Sequence, residues 1–178
     1  MTVIPNDLRI EGKQIYLRKL TKKDATIEYC SWLNDSEVTE HLVTIKTTVE
    51  EIEKYIKEKN ENNKCLFLGI FSKENDQHIG NIKIEPIDFQ KKIGMMGILI
   101  GNKEYWGKGL GTQAINVFVK WTFANLGLEV IEAGAFPENK RSIHVFQKAS
   151  FTIDRIEKQS VMHKGKLSDN IIMAIHKT

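Results

Sequence analysis

The first clear pattern in the chain is an alternation. Gln14–Leu20 (QIYLRKL) sets apolar against polar residues one by one, the period of a half-buried strand. Thr21 stands three before Asp24, a weak capping box, and predicts a helix that turns Ile27, Cys30, Trp32 and Leu33 inward until Asn34–Val38 interrupts it. A better box, Thr48 with Glu51, opens a second helix in which Val49, Ile52, Tyr55 and Ile56 recur at helical spacing. Three strands follow: Cys65–Ser72, apolar throughout, then His78–Asp88 and Ile93–Gly101, with turns at Glu74–Gln77 and Phe89–Lys92. A helix over about Leu110–Asn125 gathers Leu110, Ala114, Val117, Phe118 and Trp121 on one face. A strand (Glu129–Phe136), a short helix (Asn139–Ser150) and two strands (Phe151–Met162, Leu167–His176) joined around Lys164-Gly165-Lys166 complete the order. It predicts an α/β (α+β) fold: a mixed, mostly antiparallel sheet of about seven strands with helices on both faces, not a regular βαβ alternation.

A length of 178 residues predicts a single domain over residues 1–178 with a real core. A net charge of +3 is too small to argue for nucleic acid and is compatible with one acidic cofactor. No apolar run approaches the ~20 residues of a membrane span, and the first residues, MTVIPNDLRIEGK, lack a signal pattern. Cys30 and Cys65 show no metal or redox spacing and suit a reducing compartment. A cytoplasmic location and no metal site are therefore expected.

The candidate chemistry begins at Gly107, Gly109 and Gly111, alternating at the mouth of the third helix. A Walker loop needs Ser or Thr after Gly-Lys, but Lys108 is followed by Gly109. The dinucleotide fingerprint needs G-x-G-x-x-G, and the spacing here is G-x-G-x-G. Two possibilities remain: a cradle of consecutive backbone N–H groups for a pyrophosphate, or a tight strand-to-helix turn with no ligand. Three glycines cost ~1 kcal/mol each by the helix-interior scale, which favours the ligand. Gly94, Gly97 and Gly101 punctuate the preceding strand, as glycines do where a ligand comes close.

EYWGKGLGTQA and PENKRSIHVFQKASF, taken with the strand–helix order, resemble the GNAT acyl-CoA N-acyltransferases, in the branch of ribosomal-protein N-terminal, polyamine and amino-sugar acetyltransferases. The resemblance covers Gln14 to about Ile175. It implies acetyl-CoA as co-substrate and a sheet split between the fourth and fifth of the seven strands. It also implies a pyrophosphate on Trp106, Gly107, Lys108, Gly109, Leu110, Gly111 and Thr112, and pantetheine beside Ile98, Leu99 and Ile100. Asn139 matches the family asparagine that touches the pantetheine arm; it is equally a plain helix N-cap. Ser142 is a weaker cofactor candidate. Phe146, also expected to contact the cofactor, stands where many relatives carry the tyrosine that protonates the departing thiolate. Trp106 replaces a usual Gln or Arg, Met95 a carboxylate able to act as base, Gln113 a frequent Glu, and Ser150 a usual Gly. Glu28–Leu42 resembles surface-polysaccharide amino-sugar acetyltransferases, which places Tyr29, Asn34 and His41 at the acceptor. A homodimer through the terminal strands is a further implication.

The missing groups bear on the acceptor. An alkyl amine of pKa ~10.4 costs about 4.6 kcal/mol to deprotonate at pH 7, and an α-amino group of pKa ~8 only about 1.4. An enzyme without a dedicated carboxylate is thus expected to favour a weakly basic primary amine. The first expectation is a nucleotide-linked amino sugar of surface-glycan biosynthesis, attacking the thioester directly. The alternatives are the N-terminus of a ribosomal-type protein and a non-catalytic acyl-CoA-binding module. Glu85 and His41 are the candidate catalytic bases; His144 and His163 are expected to be solvated.

Overall fold

A computed structural model describes residues 4–42, 46–163 and 165–178. Residues 43–45, which follow the segment expected to shape the acceptor site, and Lys164, in the expected hairpin turn, lie outside the described residues. Among the described residues, eight strands form one sheet: β1 (Arg9–Glu11), β2 (Ile15–Lys19), β3 (Leu66–Ser72), β4 (His78–Asp88), β5 (Ile93–Ile100), β6 (Val130–Ala135), β7 (Thr152–His163) and β8 (Lys166–His176). Their order across the sheet is β1-β2-β3-β4-β5-β6-β8-β7. All neighbours are antiparallel except β5 and β6. The strand beyond the seven expected is β1, whose three residues are too few to show an alternation.

Strand period puts alternate side chains on opposite faces, and each face has its own core. Leu17, Leu68, Ile70 and Ile82 pack on one face beneath α3 (Leu110–Asn125) and α4 (Lys140–Lys148), with Phe118 and Phe146. Tyr16, Phe67 and Phe71 pack on the other face with Tyr29 and Trp32 of α1 (Ile27–Asn34) and Ile52 and Ile56 of α2 (Val49–Glu61). β3 is buried along its whole length, which is why it reads as an unbroken apolar run.

The Thr48–Glu51 box caps α2 as expected. The Thr21–Asp24 box instead closes a single 3-10 turn, Lys22–Asp24, and Thr26 caps α1, its hydroxyl accepting from the Tyr29 N–H at 3.1 Å. Ile27, expected inward, becomes the first helical residue and is 83 % exposed. α4 ends in a Schellman motif: the Ser150 N–H donates to Gln147 O and the Phe151 N–H to Phe146 O, each at 3.0 Å.

Candidate active site

β5 and β6 pair in parallel only from Ile93/Val130 to Met96/Ala133. Beyond that point the strands part. Gly97, Ile98, Leu99 and Ile100 are all half-buried, and a Cβ on Gly97 would meet nothing within 4 Å. The split therefore lies where expected, between the fourth and fifth of the seven strands read from the sequence. Ile98 and Ile100 pack towards α3, Leu99 towards α1 and α2. The Ile100 carbonyl is already engaged by the Trp106 indole N–H at 2.7 Å.

The loop after β5 makes one 3-10 turn, Lys103–Tyr105, capped by Asn102, and enters α3 through Trp106–Gly109. Gly107 (φ +73°) and Gly109 (φ +76°) hold the left-handed conformation, and a Cβ on either would meet open space. The first α3 hydrogen bond runs from the Gln113 N–H to Gly109 O. Among the described residues, the backbone N–H groups of Gly107 to Thr112 find no acceptor. They form a donor cradle at the positive end of a helix dipole. Lys108, its ammonium 5.2 Å from the Tyr105 ring centre, has no carboxylate partner among the described residues. These features fit a diphosphate. Gln113 is spent elsewhere: its Oε1 accepts from the N–H groups of Gln14 and Ile15, at 2.7 and 3.1 Å, and so fixes the start of β2 to α3.

Across the split, Asn139 caps α4, its Oδ1 accepting from the Ser142 N–H at 3.0 Å. Phe146 requires a correction as a cofactor contact. Its ring is 2 % exposed and meets Phe151 edge-to-face at 5.1 Å, the hydrophobic contact of the Schellman motif.

Three further expectations are corrected. Glu85 is no free base. Its carboxylate accepts from Lys59 at 2.6 Å, Lys83 at 3.1 Å and Asn62 at 3.1 Å. Burial would raise its pKa, but the hydrogen bonds from the two lysines outweigh that and hold the carboxyl low. It also lies beyond Ile84, the partner of Met96, alongside the closed part of the β5–β6 pair. Tyr29 is buried at 2 % exposure, and burial raises its phenol pKa, so it serves the core and not an acceptor. Asn34 is a clamp: it donates to Cys30 O and Thr47 O and accepts from the Thr47 N–H, tying the end of α1 to the approach to α2. Neither cysteine argues for a covalent intermediate. Burial pushes the Cys65 thiol up to about 11, and Cys30 Sγ lies 3.3 Å from Thr47 O.

His41 is the acceptor candidate that does meet a cavity. A space of about 560 Å³ is lined by Glu40, His41, Glu138, His163 and Lys166, among others. β8 pairs with β6 only as far as Ile171/Ala135, so the β7–β8 hairpin runs on past the end of β6. Its tip reaches the segment after α1: His163 Nε2 lies 3.0 Å from Glu40 O. His163 Nδ1 lies 3.2 Å from a Glu138 carboxylate oxygen, and its ring stacks on Phe136 at 4.1 Å. Phe136 follows β6 directly. The His41 ring is 5.9 Å from that of His163; its Nε2 is 3.8 Å from the Glu40 carboxylate, and its buried Nδ1 has no hydrogen-bond partner. His163 and Glu138 were not expected here. The one sequence signal was length: Phe151–Met162 and Leu167–His176 are longer than Glu129–Phe136, and β8, which pairs with β6, overshoots it.

Residues 14–152 match the acetyltransferase (GNAT) domain family. A probable N-acetyltransferase of Bacillus subtilis (strain 168), YjcK, is 30 % identical over 93 % of this chain and 96 % of its own. The microcin C7 self-immunity acetyltransferase MccE, solved with acetyl-CoA and AMP, shares the fold at a TM-score of 0.85 and 20 % identity, over 99 % of both chains. Spermidine N-acetyltransferase from Vibrio cholerae, solved with CoA and spermine, shares it at 0.81 and 20 %, over 92 % and 95 %. The chain belongs to the GNAT acetyltransferase family and is an acetyl-CoA-dependent N-acetyltransferase.

Proposed function

We propose that this enzyme acetylates a weakly basic primary amine, in the first instance an amino sugar carried on a nucleotide, which enters through the cavity between the segment after α1 and the β7–β8 hairpin. One observation carries the proposal. The cavity between the segment after α1 and the β7–β8 hairpin presents two imidazoles, while β5 carries Met95 where a carboxylate base would stand. An ordinary imidazole of pKa ~6.5 takes a proton from an ammonium of pKa ~8 at a cost of about 2 kcal/mol, against about 5 for an alkyl ammonium of ~10.4. His41 and His163, the two imidazoles lining the cavity, are the groups placed to receive that proton. Glu40 and Glu138 favour an ammonium at the entrance, and Lys166 is a cation for a phosphate. The MccE structure holds AMP, a precedent for a nucleotide on this fold.

Acetyl-CoA supplies the activated acyl group. The unpaired N–H groups from Gly107 to Thr112 hold its diphosphate, with Lys108 beside them, and the parted edge of β5 at Ile98–Ile100 receives the pantetheine arm, together with Asn139. Membership of an enzyme family sets aside the non-catalytic module. Free thiols and the absence, among the described residues, of a helix able to cross a membrane support a cytoplasmic setting. Ile153, Ile156, Met162 and Leu167, each at least 50 % exposed on β7 and β8, support a homodimer through these strands; light scattering would reveal it.

The test is a panel of amines with acetyl-CoA at pH 7, followed by CoA release. Nucleotide-linked amino sugars should turn over fastest, an N-terminal peptide next, and spermidine and lysine peptides slowest. Faster turnover of spermidine than of every weakly basic amine overturns the proposal.

A further inference from the structure

We propose that Arg141 is a positioning residue for acetyl-CoA: from the first turn of α4 it reaches across the split and closes the cradle of Gly107–Thr112 over the diphosphate. This rests on the cradle as the diphosphate site.

Four arginines occur in the chain. Arg9, Arg18 and Arg155 each bind a carboxylate, on Glu11, Asp24 and Glu132. Arg141 has no carboxylate partner and donates no hydrogen bond among the described residues. Among the described residues it meets Trp106, the residue that opens the glycine loop: the guanidinium carbon stands 4.4 Å from the indole ring centre. Stacking of this kind occupies the face of the guanidinium and leaves its five N–H donors, all on the edge, available to oxygen acceptors.

The stack is aimed by two fixed elements. The Trp106 indole is anchored through its N–H to Ile100 O, at the end of the parted strand. Val145, one turn beyond Arg141 on the same face of α4, stands 3.5 Å from where a Cβ on Gly111 would lie. That face of α4 therefore meets the first turn of α3, and Arg141 continues it towards the loop. An unpaired guanidinium seated on Trp106, next to the row of six unpaired N–H groups that begins at Gly107, is the donor set of a diphosphate site, because Arg matches phosphate oxygens with paired, parallel hydrogen bonds.

The experiment measures binding and needs no turnover. Calorimetry compares CoA with S-acetylpantetheine, which carries the thioester arm without phosphates, on the wild type, Arg141→Ala, Arg141→Lys and Trp106→Ala. Arg141→Ala should weaken CoA about 10- to 100-fold, the range of a lost pair of charge-assisted hydrogen bonds. It should change S-acetylpantetheine less than twofold and blunt the salt dependence of CoA binding, and its thermal midpoint should match the wild type. Arg141→Lys should recover part of the loss, and Trp106→Ala should lower CoA affinity by removing the platform. Wild-type affinity of Arg141→Ala for CoA overturns the role of Arg141 and leaves the cradle standing. An equal loss on both ligands shows a merely structural role and overturns it as well. A wild type that does not bind CoA overturns the cradle itself.

Discussion

Ser150 holds the backbone of a glycine. It is the left-handed residue that ends α4, at φ +68°, where the family motif usually has Gly before Phe151. A side chain in that region costs roughly 1–2 kcal/mol, partly offset by the extra freedom glycine has when unfolded. Ser150→Gly should therefore raise stability by about 0.5–1 kcal/mol in urea denaturation without changing turnover. The same motif explains Phe146, whose ring is fixed by Phe151 and not by a cofactor. Glu85 is the second case. Glu85→Gln leaves Lys59, only 19 % exposed, without its carboxylate, and should cost about 1–3 kcal/mol at pH 7. The folded-state pKa of Glu85 is depressed. Its contribution is thus complete above the unfolded value of ~4.3 and is lost as pH falls through the folded one, so the mutant's deficit should shrink at pH 3. Acetyl transfer should persist within about threefold; abolished transfer in a stably folded mutant would restore Glu85 as the base.

At the scale of elements, the β7–β8 hairpin decides the acceptor end. Sequence periodicity found both strands but not where the tip lands, because that depends on where β6 stops and on the path between α1 and α2. The latch is made by His163, between Glu40 O and the Glu138 carboxylate. His163→Ala should raise the KM for the amine about tenfold, the effect of about 1.4 kcal/mol, while leaving the Kd of CoA unchanged. Steady-state kinetics against calorimetry separate the two; an equal loss on both ligands would mean that the hairpin supports the whole cleft. α1 shows the same limit. Its apolar residues were visible, but the choice of Thr26 over Thr21 as the cap rotated Ile27 to the outside and Tyr29 into the core.

For the whole molecule, the titrating groups beside the core of α1 and α2 respond to pH in one direction. His78 sits among Phe71, Tyr29 and Trp32, with ring centres 4.9–5.1 Å away, and burial lowers its pKa. Below about pH 6.5 the unfolded chain takes up a proton that the folded one refuses, so stability falls as the solution is acidified towards the folded pKa. Asp24 and Glu85, whose carboxyls are held low by Arg18 and by the lysines against the opposing effect of burial, extend the loss to lower pH. Urea midpoints should drop between pH 7 and 5, and His78→Gln should flatten that interval. A midpoint independent of pH there would show that burial does not lower the pKa of His78 in the folded protein. Local rules, period, caps and glycine placement, were enough to find seven of the eight strands, the helices and the donor loop, since each depends on neighbours within a few residues, whereas the split of the sheet was legible only through the family resemblance. Tertiary structure alone decided which charged groups stand free. Glu85 is neutralised by lysines 26 and 2 residues away, His163 meets Glu40 across 123 residues, and Arg141 lies on an indole across the cleft. Charge pairing is set by distance in space, and no pattern along the chain encodes it.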